Sequence, residues 1–549
     1  MALSFAKAQL DMENMEELKK FKMSGGLNAT TTFNHVDGME SQRDPYFWMV
    51  QANLTFNLGP ISAPFSASFS TQTKNFTSPK PFNHFGISPK YKSVTGHFGY
   101  RSLNFSEFTL GGVQFLGAGI EYDPEHSPMQ IRAFYGRLQK AGVSRSYTGT
   151  PLYERWGYGL KTSYAGEKNL YEIIFFKATD QITSLPDTLS AKNEISPADN
   201  LVIGATVSQE IREKIHINVE YAISAYTSDI RMPEIVLEKY TYINNFGNLF
   251  QPRASSRVNS AFLGNITYEL EKVNLNLAYR RVAPDYVTLG SPYLTNDFED
   301  LTAGVSIQLF QKLNLNVGGG VQRNDLLNER LNQTKRVIGN VAASFQASER
   351  LNLNGSLANF SSSTQMAEFV QSSTGFDPDT IFFSQVNTNG SLSANYQIPG
   401  KKTQKNLMLS ASYQETSDSN ENQTRFYNLT SGFVWSHTAS GVVLNAGINA
   451  NNNIIVGGRT NSLGPTLTIS KGFFKNKVKG SLNLVHLQNQ MNSEKSGQMQ
   501  SARLNISWPL AKKQSLNFSS SWSNRKSYAQ EQNREFNEFR GSLNYRIGF

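Results

Sequence analysis

Apolar and polar residues alternate along most of this chain, and the alternation is most regular in its last stretch. The apolar positions there are Phe539, Leu543, Tyr545, Ile547 and Phe549, and the positions between them include Arg540, Ser542, Asn544, Arg546 and Gly548. Successive side chains of a β-strand point to opposite faces of the sheet. The segment therefore predicts a β-strand that has one apolar face and one polar face.

A terminal aromatic residue that ends such a strand resembles the C-terminal signature strand of bacterial outer-membrane β-barrels. In that family the barrel-assembly machinery reads this strand, which then pairs with the first strand and closes the barrel. The resemblance implies that Phe539, Leu543, Tyr545, Ile547 and Phe549 form an assembly signal. The alternative is an ordinary last strand of a soluble β-protein.

A period of two recurs from Met23 to the C-terminus. Examples are the segments 48–58, 313–321, 351–357 and 504–508, in which apolar residues alternate mainly with polar ones or glycine. In the segment 201–207, Leu201, Ile203, Ala205 and Val207 occupy alternate positions. One alternating segment is not diagnostic, but its repetition over the whole chain predicts many short strands.

The connections between these segments alternate in length. Tight turns are predicted at 210–214, 269–272, 310–312, 347–350 and 511–513, and long polar loops at 226–256, 281–299, 322–335, 360–383 and 523–535. Short turns at one end and long loops at the other are typical of an outer-membrane barrel, with the short turns in the periplasm. We therefore predict an all-β fold, a closed antiparallel transmembrane β-barrel of about 24–26 strands over residues 23–549, with both termini periplasmic.

Composition excludes other kinds of membrane and nucleic-acid-binding protein. The chain of 549 residues contains no cysteine, so neither disulfides nor thiolate metal sites are available. Its mean hydropathy is −0.41, and it lacks the roughly 20 consecutive apolar residues of a membrane-spanning helix. A barrel remains possible because alternating strands are polar on average. The net charge of +9 is dispersed along the chain, so no nucleic-acid partner is expected.

The N-terminal residues suggest an exported protein. Ala6-Lys7-Ala8 has the small-x-small pattern that precedes a signal-peptidase cut, although the apolar stretch before it is short. Our hypothesis is that residues 1–8 are the remnant of a signal peptide and residues 9–22 form a periplasmic lead-in to the barrel. The alternative is a frayed N-terminal tail.

Four segments in the first quarter of the chain carry a closer resemblance. They are Pro81–Tyr91, Phe98–Gly112, Phe115–Pro124 and Ala133–Arg137. Together they resemble a family of uncharacterised outer-membrane β-barrels of Bacteroidota. The resemblance implies a location in the outer membrane of a Gram-negative bacterium and a barrel architecture, and it implies no chemistry.

The search for catalytic chemistry finds one weak candidate. His97 lies in an alternating segment near Ser93 and Glu107, but a histidine facing the lumen or an interface is the better interpretation. The histidines show no zinc-ligand spacing. Asp418–Asn422 resembles the start of a calcium loop but lacks its turn glycine and distal glutamate, and Asn296–Asp300 could bind a divalent ion loosely. A solvated loop is the favoured interpretation of both segments. We predict no enzyme activity, no cofactor and no metal.

A barrel of this size would enclose a wide lumen unless chain segments fill it. The predicted lumen lining is neutral and amide-rich: Asn314, Asn316, Asn352, Asn354, Asn445, Asn449, Asn483 and Asn505. Arg132, Lys161, Glu172 and Glu220 lie within strands and must face water or each other. The segment Lys74–Gly119 cannot be assigned a strand register. Its prolines, Pro79, Pro81 and Pro89, break strand pairing, so part of the segment could form an inward loop. If this loop is a plug, Asn75–Ile87 is the part whose removal should open the lumen.

These features predict a passage that is porin-like or that translocates a substrate, with weak charge selectivity. Whether a partner plugs or gates this passage is a question that the sequence does not decide. The alternative is a structural barrel that anchors other proteins as a subunit of a larger outer-membrane complex. A lumen free of inserted chain would favour the passage, and a filled lumen with an apolar rim would favour the anchor. The expected partners are outer-membrane lipid, the barrel-assembly machinery and other envelope proteins.

Overall fold

The computed structural model describes residues 21–41, 43–72, 83–143, 151–329, 332–372, 375–418, 422–475, 477–528 and 533–549. The proposed signal-peptide remnant and nearly all of the lead-in, residues 1–20, lie outside the described residues. The strands of the barrel, in chain order, are β1 (Phe21–Asp37), β2 (Tyr46–Leu58), β3 (Ile61–Ser70), β4 (His84–Ile87 and Lys90–Tyr91), β5 (Val94–Arg101), β6 (Phe115–Tyr122), β7 (Met129–Gln139), β8 (Arg155–Ala165), β9 (Asn169–Asp180), β10 (Asp199–Ile211), β11 (Ile215–Thr227), β12 (Ser256–Glu269) and β13 (Val273–Val282). They continue with β14 (Phe298–Leu309), β15 (Leu313–Asn324), β16 (Asn332–Gln346), β17 (Leu351–Ser372), β18 (Gly375–Ile398), β19 (Thr403–Asp418), β20 (Gln423–His437), β21 (Val442–Ile455), β22 (Gly458–Phe473), β23 (Val478–Met491), β24 (Glu494–Ala511), β25 (Gln514–Tyr528) and β26 (Asn533–Gly548).

The sheet closes on itself. The two pieces of β4 lie between the same neighbours, β3 and β5, so the 27 strand segments of the sheet occupy 26 positions. Each strand pairs antiparallel with the next, and β1 pairs with β26 from Gly26↔Gly548 to Asp37↔Asn537. Closure pairs the backbone amides of every strand and leaves no sheet edge. The predicted all-β closed barrel and its strand number are confirmed.

Alternation gives the wall an apolar face and a polar face. Residues directly opposite each other on paired strands share a face. One face exposes a band of large apolar side chains, including Ile173, Leu357, Leu392 and Leu463. The other face is rich in Asn, Ser and Thr that bond laterally, as in the 2.7 Å hydrogen bond from Asn544 Nδ2 to Thr30 Oγ1 across the closing seam. The apolar face is the one suited to lipid, so it is the outer face and the polar face lines the lumen.

The two ends of the barrel differ. The end that holds Phe549 has tight turns, among them Gly59-Pro60 and residues 166–168, 212–214, 310–312 and 512–513. The opposite end carries the longest connections and two short helices, α1 (Asp187–Lys192) and α2 (Thr241–Asn244). Among the described residues, no helix has the length and apolar character needed to span a membrane.

Two of the predicted loops are largely strand, and those predictions are wrong. Residues 360–372 extend β17 and residues 375–383 extend β18, and these strands pair from Leu351↔Tyr396 to Ser372↔Gly375. Residues 523–535 likewise extend β25 to Tyr528 and begin β26 at Asn533. Both segments are polar, which suggested loops, but an antiparallel pair continues wherever the two backbones can bond each other, whatever the polarity of the side chains.

One long connection packs on the outer face rather than over the lumen. Residues 228–255 place Ile243 and Phe250 against Leu201, Ala225 and Val258 of the outer wall, and all five side chains are buried. The connection covers apolar wall near the long-loop end. The connection therefore does not cover the opening of the lumen.

Candidate functional site

A segment between β5 and β6, residues 102–114, folds into the lumen. Leu103, Phe105, Phe108 and Leu110 are buried in an apolar cluster on the inner wall. A tight turn shapes the segment, since the Phe105 amide donates to the Leu110 carbonyl oxygen at 3.0 Å. We call residues 102–114 the first insert.

A second insert, residues 283–297 between β13 and β14, packs against the first. The Tyr286 hydroxyl donates to the Phe108 carbonyl oxygen at 2.6 Å, and the Thr288 hydroxyl donates to the Thr109 carbonyl oxygen at 2.6 Å. The Gly111 amide donates to the Gly290 carbonyl oxygen at 2.9 Å. A Cβ atom on Gly290 would lie 2.4 Å from the Thr109 oxygen, so the close approach requires glycine there.

The inner wall that contacts the first insert provides space for it and hydrogen-bonds to it. A Cβ atom on Gly159 of β8 would lie 2.7 Å from a ring carbon of Phe105, so this wall position must lack a side chain. Two residues along, Lys161 Nζ donates to the Phe105 carbonyl oxygen at 2.9 Å and pairs with Glu172 at 2.8 Å. The buried lysine is thus both neutralised and bound to the first insert.

Charged side chains of β11 and β13 hold the other end of the first insert. The Glu220 side chain is buried beside the first insert, where Ser106 and the Phe108 backbone are the nearest polar groups that act on its carboxylate. Arg280 donates to Glu107 at 2.6 Å and lies over the ring of Phe298, 5.0 Å from its centre. The ion pair with Glu107 compensates the charge of Arg280 within its strand.

The inserts therefore occupy one side of the lumen. The buried residues that contact them come from β6–β14, which we call the filled side.

Burial raises the pKa of the Tyr286 hydroxyl well above its ordinary value, because the phenolate would lose its hydration in this interior.

The predicted lining asparagines lie on β15–β26, which form most of the remaining wall and which we call the open side. The strand register places all eight on the inward face, in two groups: Asn314, Asn316, Asn352 and Asn354 on β15–β17, and Asn445, Asn449, Asn483 and Asn505 on β21–β24. None of the eight is buried.

Within each group the amides bond laterally. Asn483 Nδ2 donates to the Thr468 hydroxyl at 2.8 Å, and the Ser344 hydroxyl donates to Asn354 Oδ1 at 2.8 Å. Such bonds use only part of the hydrogen-bonding capacity of each amide. The remaining donors and acceptors face the lumen.

The structure gives His97 partners that the sequence did not indicate. Its Nδ1 lies 3.0 Å from Ser88 Oγ and its Nε2 lies 2.8 Å from Glu121 Oε1. Glu121 also pairs with Arg132 at 3.0 Å. Neither Ser93 nor Glu107, its neighbours in the sequence, is among the described contacts of the ring. The ring faces the lumen as part of a polar network on β4–β7.

The inward segment lies within Lys74–Gly119, but not in the part expected to form a plug. Of Asn75–Ile87, residues 75–82 lie outside the described residues and His84–Ile87 form the first piece of β4. Pro79 and Pro81 fall outside as well, and Pro89 separates the two pieces of β4. The signal that could have indicated the first insert is the apolar set Leu103, Phe105, Phe108 and Leu110, whose spacing breaks the period of two.

The remaining predicted sites are the two acidic segments. In the described part of the chain, no group of three or more His, Asp or Glu side chains could hold a metal ion. Residues 419–421 of the acidic segment Asp418–Asn422 lie outside that part. In the other acidic segment, Asp300 lies on β14 and Asn296 Nδ2 donates to the Tyr286 carbonyl oxygen at 2.9 Å, within the second insert.

Neither a protein-family model nor a curated protein matches this sequence. Among solved structures, the chain is similar to the ferric yersiniabactin uptake receptor of Yersinia pestis, with 9% identity and a TM-score of 0.42 over 96% of this chain and 80% of that chain. The outer membrane protein OprD of Pseudomonas aeruginosa has 11% identity and a TM-score of 0.34 over 68% of this chain and 95% of that one. The P pilus usher (PapC) translocation pore has 11% identity and a TM-score of 0.27 over 96% and 100% of the two chains. At these TM-scores and identities, the function of this chain has to be argued from its own geometry.

Proposed function

We propose that the protein is a passage across the outer membrane of a Gram-negative bacterium, and that solutes cross it along the open side of the lumen. One observation carries the proposal: both inserts pack on the filled side, whereas the lining asparagines of the open side stay accessible. Barrels of 16–18 strands already enclose an aqueous channel, and one of 26 strands is wider. Inserts that cover one side would narrow such a lumen without closing it.

The architecture supports the location. A closed barrel with an apolar outer band and an even number of strands is the form of a single-chain bacterial outer-membrane protein. The tight turns lie at the end where β1 begins and where Phe549 lies, and this favours periplasmic termini. The resemblance to barrels of Bacteroidota is consistent with this location.

Two partners follow from the same features. Lipid would contact the apolar outer face. The barrel-assembly machinery would read β26, whose outward positions are Phe539, Leu543, Tyr545 and Ile547. Other envelope proteins are partners under the second candidate function.

The second candidate is an anchoring subunit of a larger outer-membrane complex. The observation that favours it is the combination of inserted chain with exposed apolar residues at the long-loop end. Val236 is 75% exposed, Tyr293 is 78% exposed and Leu327 is 57% exposed, all in connections at that end. Single exposed apolar residues are common on protein surfaces, however, so this observation has less weight than the open lining.

Conductance in a planar lipid bilayer tests the passage. The intact protein should give steady ionic currents, and replacing Leu103–Leu110 by a Gly-Ser linker of equal length should raise its conductance. The matched control replaces Pro233–Tyr240, in the connection that packs on the outer face, and should leave the conductance unchanged. If the intact barrel and both variants are electrically silent, the passage is wrong. Native purification would then show which proteins the barrel anchors.

A further inference from the structure

Two arginines project from the wall of the open side close to the closing seam. Arg503 of β24 lies opposite Ser521 of β25, Ser521 lies opposite Arg540 of β26, and Arg540 lies opposite Asn34 of β1. Residues in one such row share a face. The next row contains Asn505, Ser519, Ser542 and Thr32, so the arginines face the lumen with the amides and hydroxyls.

Neither arginine is neutralised by an ion pair. Among the ion pairs of the described residues, Arg503 and Arg540 form none, whereas Lys161 and Arg280 on the filled side each have a carboxylate partner. Arg503 is exposed and Arg540 is half-buried. The charged groups that act on Arg540 are Arg43 and Arg503, which share its sign, and Glu538. The site therefore carries a net positive charge.

The surrounding strands have the same sign. The inward positions of β23–β26 carry the basic residues Lys479, Arg503, Arg525, Arg534, Arg540 and Arg546 and the acidic residues Glu494 and Glu538. Glu494 lies at the tip of a hairpin, away from the two arginines. Basic side chains along a pore wall favour the entry of anions.

The spacing of the row suits an oxyanion. Neighbouring strands are about 4.8 Å apart, so the backbones of Arg503 and Arg540 are about 10 Å apart, within reach of two long side chains that converge on one group. The guanidinium is a planar fork of N–H donors that matches carboxylate and phosphate oxygens. Ser521 lies between the arginines, and its hydroxyl can donate to the same group.

We propose that Arg503, Ser521 and Arg540 form an oxyanion-binding site on the lumen wall, and that the passage selects solutes that carry a carboxylate or phosphate group. This deepens the proposed function, on which its transport part rests. It also revises the expectation of weak charge selectivity. The expectation was based only on the neutral amides of the open side, whereas the strand register places two arginines without ion pairs on the same wall.

Ion selectivity is the first test. Reversal potentials under a KCl gradient should show that the intact protein conducts chloride several-fold better than potassium. The double variant Arg503→Gln/Arg540→Gln should lower this permeability ratio to about 1. Arg459→Gln is the matched control, because Arg459 lies on the outer face, where it bonds Asn452, and should leave the ratio unchanged.

A binding measurement keeps the proposal testable if the barrel carries no current. Titration calorimetry with inorganic phosphate, using purified full-length protein in detergent, should detect binding that weakens about tenfold or more in the double variant, the usual effect of losing one charge-assisted hydrogen bond. Phosphate binding without current would support the site and contradict the passage. Current that is not anion-selective, or phosphate binding that does not depend on the two arginines, would overturn the site and leave the passage standing.

Discussion

The hydroxyl of Tyr286 and the carbonyl oxygen of Phe108, 178 residues apart in the chain, form a 2.6 Å hydrogen bond inside the barrel. The two side chains also pack edge to face, with ring centres 6.4 Å apart. Tyr286 is 1% exposed and Phe108 is fully buried. This contact joins the two inserts and gives the lumen a small apolar core on its filled side.

Tyr286→Phe should loosen the first insert without unfolding the barrel. The variant keeps the ring contact but leaves the buried Phe108 carbonyl without its donor, at a cost of about 1–3 kcal/mol. Hydrogen–deuterium exchange at Leu103–Leu110 should accelerate while exchange in β19–β26 stays slow. The control is Tyr293→Phe, which alters an exposed tyrosine of the same insert and should change neither rate. Unchanged exchange in Tyr286→Phe would show that the hydroxyl does not hold the insert.

The same tyrosine should resist ionisation at alkaline pH. Burial raises the pKa of Tyr286 well above the ordinary value of about 10, so its phenol should stay protonated at pH 11 in the folded barrel. Tyrosinate absorbance at pH 11 should therefore be the same in the wild type and Tyr286→Phe, and should fall in Tyr293→Phe.

The sign of the stability effect follows from the raised pKa. The unfolded chain would ionise Tyr286 near pH 10 and the folded chain would not, so the contribution of this group is complete below pH 10 and declines as pH rises above it. The free energy of unfolding should fall more steeply above pH 10 in the wild type than in Tyr286→Phe. An equal fall in the two proteins would contradict burial of the phenol.

The barrel could be predicted from the sequence because each strand carries its own period of two. Alternation needs only local information, and strands such as β15 and β26 show it plainly. The positions of Asn314 and Asn505 follow from it, since the face of a residue in a strand depends on its parity. Their role in lining a passage stays a prediction.

The inserts could not be predicted in this way because their contacts are distant in sequence. Leu110 bridges to Gly290, and Lys161 bonds the Phe105 carbonyl oxygen. No local pattern encodes such pairs: the spacing of Phe105 and Phe108 breaks the period of two, but it does not indicate which distant residues they contact. The partners of His97 were missed for the same reason, because Glu121 is brought to it by the pairing of β5 with β6.

Phe549→Asp should reduce assembly rather than activity. The outward residues of β26 meet lipid, and a charge there costs about 2–4 kcal/mol at the midplane and less near an interface. Phe549 follows the last residue of β26, near the interface, so loss of recognition by the assembly machinery should dominate. Outer-membrane fractions should contain little of the variant, while Ser542→Asp, on the inward face, should assemble. Normal levels of Phe549→Asp would contradict the assembly signal.

Surface proteolysis should reveal the orientation. A protease site inserted between Val456 and Gly457, in the hairpin connection at the long-loop end, should be cut on intact cells. The same site inserted at Lys512-Lys513, in the turn at the opposite end, should be cut only after the envelope is opened. The reverse pattern would mean that the termini lie outside the cell.

Neighbouring residues on opposite faces of β21 provide a direct test of the passage. Asn449 faces the lumen, whereas Ile448 faces outward and is 53% exposed. Because the chain contains no native cysteine, Asn449→Cys and Ile448→Cys each introduce a single thiol. A charged maleimide needs water to reach a thiol, so it should label Asn449→Cys in reconstituted membranes and spare Ile448→Cys, which lies in lipid. A bulky polyethylene glycol maleimide on Asn449→Cys should then lower the conductance and leave that of Ile448→Cys unchanged. Full labelling of Asn449→Cys with no change in current would mean that ions do not pass along this wall.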